Sequence, residues 1–376
     1  MKISNLIYLD NNATTPIDER VLNEMLPFFT DYFGNSSSIH HFGEIINKCV
    51  VKAREQVATL LGASPKEIIF TSGATEGINL GLKGAAFANQ HKGKHIVTCK
   101  SEHKAVLDTC QYLEQIGFDV TYLPVGRDGI IDIEEFKSVL TTHTILVSIM
   151  WVNNETGVIQ PIEEIIEHTH NNGSLFFTDA TQAVGKIPIN VCELDIDLLS
   201  FSAHKFYGPK GIGGLYMKKG INLDTQTHGG GHEFGLRSGT SNVPGIIGLG
   251  KACEIAFDDM TDNTKKIVNL RDSLETELLK INGAFVNGNI SNRLFNTLNL
   301  YLPNFDANFF INIHKNVAVS NGSACTAALI QPSHVLLAMG LSENEALGSV
   351  RISFGKMNNL NDTKEIIKMI NLFVQE

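Results

Sequence analysis

Short apolar runs recur through the first two-thirds of the chain, at Glu67–Phe70, His95–Thr98, Ile145–Met150, Leu175–Thr178 and Leu198–Ser202. Runs with so little polar alternation read as strands buried on both faces, and the amphipathic stretches between them read as helices. The alternation predicts an α/β architecture with a largely parallel sheet. After about Lys251 the pattern changes. A helical stretch continues through Leu278, followed by a strand-like Thr297–Leu302, a loop around Ser320–Ala324 and a helix-like Ser333–Met339. These predict a second, smaller α+β domain. The expected division is a large domain over 13–255 and a small one formed by 1–12 with 256–376.

Composition narrows the classes. With 376 residues, 43% of them hydrophobic, the chain can bury a substantial core. A net charge of -10 without a long Lys/Arg block argues against a nucleic-acid surface. The stretch Met1–Asp10 has neither the apolar core of a signal peptide nor the length of a membrane span, so a cytoplasmic protein without membrane attachment is expected. Six cysteines, at 49, 99, 110, 192, 253 and 325, form no C-x-x-C pair and read as free thiols. His228 and His232 are four apart, but the three glycines between them disfavour the helix a metal site would need, and no metal is expected.

Polar residues gather directly after the apolar runs, where parallel α/β sheets bind ligands. Thr71-Ser72-Gly73-Ala74-Thr75-Glu76 follows one strand and opens a helix, so its backbone N–H groups suit a phosphate; Ser72 or Thr75 would equally serve as an ordinary N-cap. Ser101-Glu102-His103 and Asn153-Asn154-Glu155 follow two further runs, and a histidine or an Asn pair in such places also has purely structural uses. Asp179 ends another strand. Buried there, it needs a cationic partner such as the protonated ring nitrogen of a cofactor, with Gln182 placed to donate to an adjacent ring oxygen; a capping role is the alternative. In Ser202-Ala203-His204-Lys205, a lysine beside a phosphate site can form a Schiff base once burial or neighbouring cations lower its pKa. Cys325 follows Ser320–Ala324, a run of small residues that marks an exposed loop, and Arg351 offers a planar fork for a substrate carboxylate. An inert thiol and an ion pair are the plainer alternatives.

Taken in order, the motifs Tyr8–Pro16, Phe33–Ser38, Thr71–Glu76, Glu102-His103, Asn153–Glu155, Asp179–Gln182, Ser202–Lys205, Gly208–Gly211, Gly229–Glu233, Arg237–Thr240, Gly322–Cys325 and Pro332–Val335 span nearly the whole chain. They resemble those of the cysteine desulfurases, class V aminotransferase-like enzymes of the pyridoxal-phosphate fold type I. The loop Cys325–Val335 is similar to the first, NifS/IscS-like group rather than the second, SufS-like one. The resemblance implies that Lys205 carries pyridoxal 5'-phosphate, His103 stacks on its ring, Asp179 pairs with the pyridine nitrogen, and Gln182 and Asn154 contact the ring oxygen and the substrate side. Ala74, Thr75, Ser202 and His204 would hold the phosphate, with Thr240 reaching it from the partner subunit of a homodimer.

By the same resemblance, Arg351 and Asn154 would bind the carboxylate of L-cysteine. Cys325 would take the sulfur as a persulfide, leaving L-alanine, and Lys205 would carry the proton; Lys205, His103 and Cys325 are thus the implied catalytic residues. The sulfur would then pass to a protein acceptor. Ser36 stands where many relatives have proline, and Phe234 and Leu236 where basic residues are common, which alters the entrance rather than the chemistry. The chain ends at Glu376 without the tail of scaffold-binding members. The acceptor is left open among proteins of iron–sulfur cluster assembly, tRNA thiolation and DNA sulfur modification.

Overall fold

The computed structural model describes residues 6–322 and 331–375. Strand β1 is Ile7–Tyr8. Next come β2 (Ile68–Thr71), β3 (His95–Cys99), β4 (Asp119–Leu123), β5 (Thr144–Ser148), β6 (Leu175–Asp179), β7 (Leu198–Ser202) and β8 (Gly213–Met217), and these build one seven-stranded sheet in the order β2-β8-β7-β6-β5-β3-β4. β8 runs antiparallel to both its neighbours, and the other six strands are parallel. The C-terminal third adds β9 (Phe285–Val286), β10 (Thr297–Tyr301), β11 (Val317–Ala318) and β12 (Ser349–Ser353), arranged as a β12-β10-β9 sheet and a β1-β11 pair. The α/β class expected from the apolar runs is therefore the one found, and all five expected strands are present within a residue or two.

Both faces of the large sheet are covered, which is why its strands carry unbroken apolar runs. Phe176, Leu199, Phe201, Ile68 and Phe70 pack into the core on one face, against the helix His41–Leu61 and the first half of Val243–Leu278. Their chain neighbours Phe177, Leu198 and Ile69 point to the other face and meet Ile78, Leu82, Val106 and Leu113 from the helices Ala74–Asn89 and Lys104–Gln115. Each fully buried phenylalanine contributes on the order of 2 kcal/mol. The long helix Val243–Leu278 begins eight residues before the expected Lys251. Its second half, through Ile267, Leu270, Leu274 and Leu278, joins a separate core with Leu298, Leu300, Val350, Ile352 and Ile366. The stretch Ser333–Met339 holds a shorter helix, His334–Ala338, capped by Ser333. No helix among the described residues is long and apolar enough to cross a membrane.

Two strands escape the pattern. β4 is an edge strand with its first residue exposed, so its apolar content is diluted. β8 begins with Gly213 and Gly214, poor strand formers in isolation. A Cβ on Gly213 would lie 2.3 Å from the Phe201 carbonyl oxygen, and one on Gly214 would lie 2.7 Å from the Phe201 ring, so only glycine lets β8 fit between β2 and β7. Level across Gly213 sit Thr71 of β2 and Ser202 of β7. The parallel topology thus brings the carboxyl ends of β2, β3, β5, β6 and β7 to one edge. There the segment after β1 joins them: Asn11 N donates to Ser353 O of β12 and Asn12 N to the Ser353 hydroxyl.

Candidate active site

A cavity of about 640 Å³ opens along that edge, and among the described residues every predicted site residue except Thr240 lines it. At one end stands the N-terminus of the helix Ala74–Asn89. The N-cap is Gly73, with φ 154° and ψ -178°, a conformation open almost only to glycine, and it makes no side-chain cap. Ser72 and Thr75 are therefore not the caps that the sequence left open. The N-terminal amides there, the Ser202 hydroxyl and His204 form a cradle for an anion. His204 Nδ1 lies 3.1 Å from the Thr14 hydroxyl. Burial, then the charges of Lys205 and Lys210, lowers the His204 pKa to about 4, so the ring is neutral near pH 7. With Thr14 donating to Nδ1, Nε2–H is left for the anion.

Across the cavity floor, Asp179 is buried at the end of β6, and its Oδ1 accepts from Thr181 N at 2.9 Å. That bond closes a turn rather than capping a helix, since no helix lies between β6 and β7, and it uses one oxygen only. Asp179 has no ion-pair partner among the described residues. Complete burial, then the neighbouring Asp179, pushes the Glu102 pKa well up; its Oε1 accepts from Met150 N at 2.5 Å, while Oε2 has no partner among the described residues. A buried carboxylate that faces a cavity and has no ion-pair partner among the described residues can accept a ligand that brings a cation. The protonated pyridine nitrogen of pyridoxal phosphate is such a cation, and the helix N-terminus, Ser202 and His204 suit its phosphate. The residues present fit the cofactor.

Lys205 follows β7 in a short 3-10 turn, Ala203–Lys205. Its Nζ donates to the carbonyls of Asn12 at 2.7 Å and Ala13 at 2.8 Å. Burial, then the Arg351 charge, lowers its pKa from 10.5 to about 8, against the opposing pull of Asp179 and Asp10. His103 caps the helix Lys104–Gln115, with Nδ1 accepting from Ala105 N at 3.1 Å. The ring is open to the cavity but enclosed by protein at longer range, and that enclosure lowers its pKa despite Asp179. It is a flat, neutral face beside the space above Asp179.

At the far end Arg351, in β12, is buried. Its Nη2 pairs with Asp10 Oδ1 at 2.7 Å, Nη1 donates to Asn154 O at 3.1 Å, and Nε has no partner. The ion pair foreseen as the dull alternative exists and is buried, and Nη1 and Nη2 each keep a second N–H beyond these bonds for a carboxylate. Glu155 lies next to it, buried, with Oε2 accepting from the Ser333 hydroxyl at 2.5 Å; burial raises its pKa to about 7. Thr240 is exposed and does not line the cavity of its own chain. Cys325 lies outside the described residues, as do Ser323 and Ala324 of its loop.

Several residues of this site were not singled out for a role in the sequence. Asp10 and Asn12 belong to a polar run after an apolar one, the same signal that marked the other clusters, but near the N-terminus it looks like a turn. Asn12 offers its carbonyl to Lys205, a group any residue possesses, while its buried amide donates to Asn154 O at 3.2 Å and to the Thr297 hydroxyl at 2.9 Å, partners far away in sequence. Glu155 and Lys186 are ordinary charged residues until burial is known.

Comparison with known proteins agrees with this geometry. The family model described as aminotransferase class-V matches residues 7–366. A cysteine desulfurase IscS from Dechloromonas aromatica is 47% identical over 369 residues, 97% of this chain and 91% of that protein. Among solved structures, a NifS-like protein superposes with a TM-score of 0.93 at 41% identity, covering 98% of this chain and 99% of its own. SspA in complex with cysteine superposes with a TM-score of 0.83 at 40% identity, covering 94% and 99%. Similarity of this extent, over a site whose cradle, lysine and unpaired aspartate fit the cofactor, places the chain in the class-V aminotransferase family, among its pyridoxal-phosphate-dependent cysteine desulfurases.

Proposed function

We propose that the cavity holds pyridoxal phosphate on Lys205 and L-cysteine against Arg351, and that the substrate sulfur passes to Cys325, leaving L-alanine. One observation carries the reading: a single cavity joins an amine of lowered pKa, a buried carboxylate lacking a cation, and an arginine with spare Nη donors. The bound cofactor supplies an electron sink that acidifies the substrate α-carbon and lets its C–S bond break.

The chain's own residues do the rest. Asp179 would pair with the protonated ring nitrogen, and His103 would stack on the ring. Ala74, Thr75, Ser202 and His204 anchor the phosphate; Gln182 donates to the ring oxygen, and Asn154 serves the ring oxygen and the substrate. Arg351, helped by Asn154, fixes the substrate carboxylate and so the plane in which the α-proton leaves. Lys205 Nζ, with a pKa near the working range, takes that proton and returns it to carbon. The Cys325 thiolate attacks the substrate sulfur; an S–S bond forms, the C–S bond breaks, and its electron pair and a proton end on the methyl group of alanine. The persulfide sulfurs are oxidised as that carbon is reduced, so no outside oxidant is required. The assignment of Cys325 rests on its loop sequence, Gly322-Ser323-Ala324-Cys325.

The chain is read as a large cofactor domain, 13–255, and a small one, 1–12 with 256–376; the separate core of Ile7, Leu9, residues 267–278, β10, β12 and Ile366 supports this, while Leu294 and the stretch 335–346 pack with the large core. It is also read as a homodimer in the cytoplasm, with Thr240 of each subunit serving the phosphate site of the other; its exposure outside its own cavity supports that role. A cysteine-bound solved relative supports the substrate. The persulfide is then delivered to a protein acceptor in iron–sulfur cluster assembly or thiolation. The test is alanine and sulfide release from L-cysteine with a thiol reductant. The wild type is expected to make both in equal amounts, and Cys325→Ser to keep the cofactor spectrum and make neither. Undiminished release by the variant would remove Cys325 from the mechanism.

A further inference from the structure

Lys186 sits in the turn that follows β6, four residues beyond Gln182, and is only 7% exposed. Its Nζ donates to Gln182 Oε1 at 2.5 Å, its one polar partner among the described residues; no carboxylate pairs with it there. Burial, then the charges of Lys205 and Arg351, hold its pKa well below the ordinary lysine range. A buried, unpaired amine costs stability, and a methionine of similar length would fill the same space without that cost. The hydrogen bonds give the lysine a use. Gln182 Nε2 donates to Asn12 O at 2.9 Å, and the same carbonyl accepts from Lys205 Nζ at 2.7 Å. The buried lysine is thus linked to the cofactor lysine through one amide and one carbonyl.

Lys186 Nζ donates to the oxygen end of the Gln182 amide and the Asn12 carbonyl, which can only accept, takes its nitrogen end, so the two bonds together select one orientation. Flipping it would set N–H against N–H on one side and oxygen against oxygen on the other, losing both bonds. We propose that Lys186 is a positioning residue for the cofactor, fixing the Gln182 amide so that Nε2 rather than Oε1 faces the cavity and the cofactor's ring oxygen. The proposal rests on the reading above that Gln182 meets that oxygen. Without Lys186 the orientation is held by the Asn12 carbonyl alone, and whenever the amide turns it offers an acceptor to an oxygen that needs a donor.

The test is a double-mutant cycle on the holoenzyme with Lys186→Met, Gln182→Ala and both, reading cofactor dissociation and the pH midpoint of the cofactor's visible band. Each single variant is expected to release cofactor about tenfold more readily, the worth of one charge-assisted hydrogen bond, and to move the midpoint. The double variant should match the weaker single one, because Lys186 acts only through Gln182. The cofactor-free Lys186→Met chain should melt no lower than the wild type, whereas a merely structural lysine would lower the melting point and leave the band alone. Lys186→Gln serves the same cycle if the methionine variant does not fold. A wild-type band and retention in the Lys186 variant, or a double variant about a hundredfold weaker, overturns the proposal. An unchanged band in Gln182→Ala overturns instead the reading that Gln182 meets the ring, and the proposal falls with it.

Discussion

The lowered pKa of Lys205 has a measurable consequence for cofactor capture. An amine attacks an aldehyde only when neutral. With the ordinary value of 10.5, about one lysine in three thousand is neutral at pH 7; with the value of about 8 that burial and Arg351 impose, about one in ten is. The structure therefore raises the reactive fraction at pH 7 by about 300-fold. The assay adds pyridoxal, which brings no phosphate charge, to the cofactor-free chain and follows the visible band by stopped flow from pH 6 to 10. The rate constant should rise about tenfold per pH unit to near pH 8 and then level. Arg351→Gln should carry the plateau to higher pH, because it removes a positive neighbour. The same shift costs stability at neutral pH, since the folded chain binds the Lys205 proton less tightly than the unfolded one; that cost fades as pH climbs from about 8 towards 10.5. A wild-type rate still climbing tenfold per unit beyond pH 9.5 would refute the reasoning, because it would mean the buried amine titrates like a free one.

Three further outcomes are expected. Arg351→Lys keeps the charge but loses the planar fork and its remaining Nη donors, so the KM for L-cysteine should rise about tenfold or more while the cofactor band is unchanged; an unaltered KM would place the carboxylate elsewhere. Gly213→Val forces a Cβ against the Phe201 carbonyl and the Gly73 backbone, and urea titration should show a loss of about 3 kcal/mol with weakened cofactor binding; a wild-type midpoint would contradict the packing. Glu155 has a folded pKa of about 7, raised from 4.5, so the stability it lends is complete below about pH 4.5 and lost as pH rises through 7. Glu155→Gln should flatten that fall, on the order of 3 kcal/mol, in urea titrations at pH 5 and pH 8; equal slopes in the two proteins would show that the carboxyl is not held protonated.

Much of the architecture was legible in the chain because sheet burial on two faces leaves an unmistakable trace. Runs such as Leu175–Thr178 and Leu198–Ser202 have to be apolar throughout when successive residues face different cores. The polar clusters after those runs marked one binding edge for a related reason: a parallel sheet ends all its strands on the same side, and Asp179, Lys205 and His103 have no cause to follow buried strands unless they face something. What the tertiary structure alone decided concerns partners distant in sequence. β8 became a strand because Gly213 and Gly214 fit against Phe201, and glycine on its own signals a break. Asp10 faces Arg351 across 341 positions, and the Asn12 carbonyl receives Lys205 across 193. The raised pKa values of Glu102 and Glu155 and the lowered ones of Lys186 and Lys205 follow first from how much protein surrounds each group, a property of the packed core that no local stretch of sequence contains.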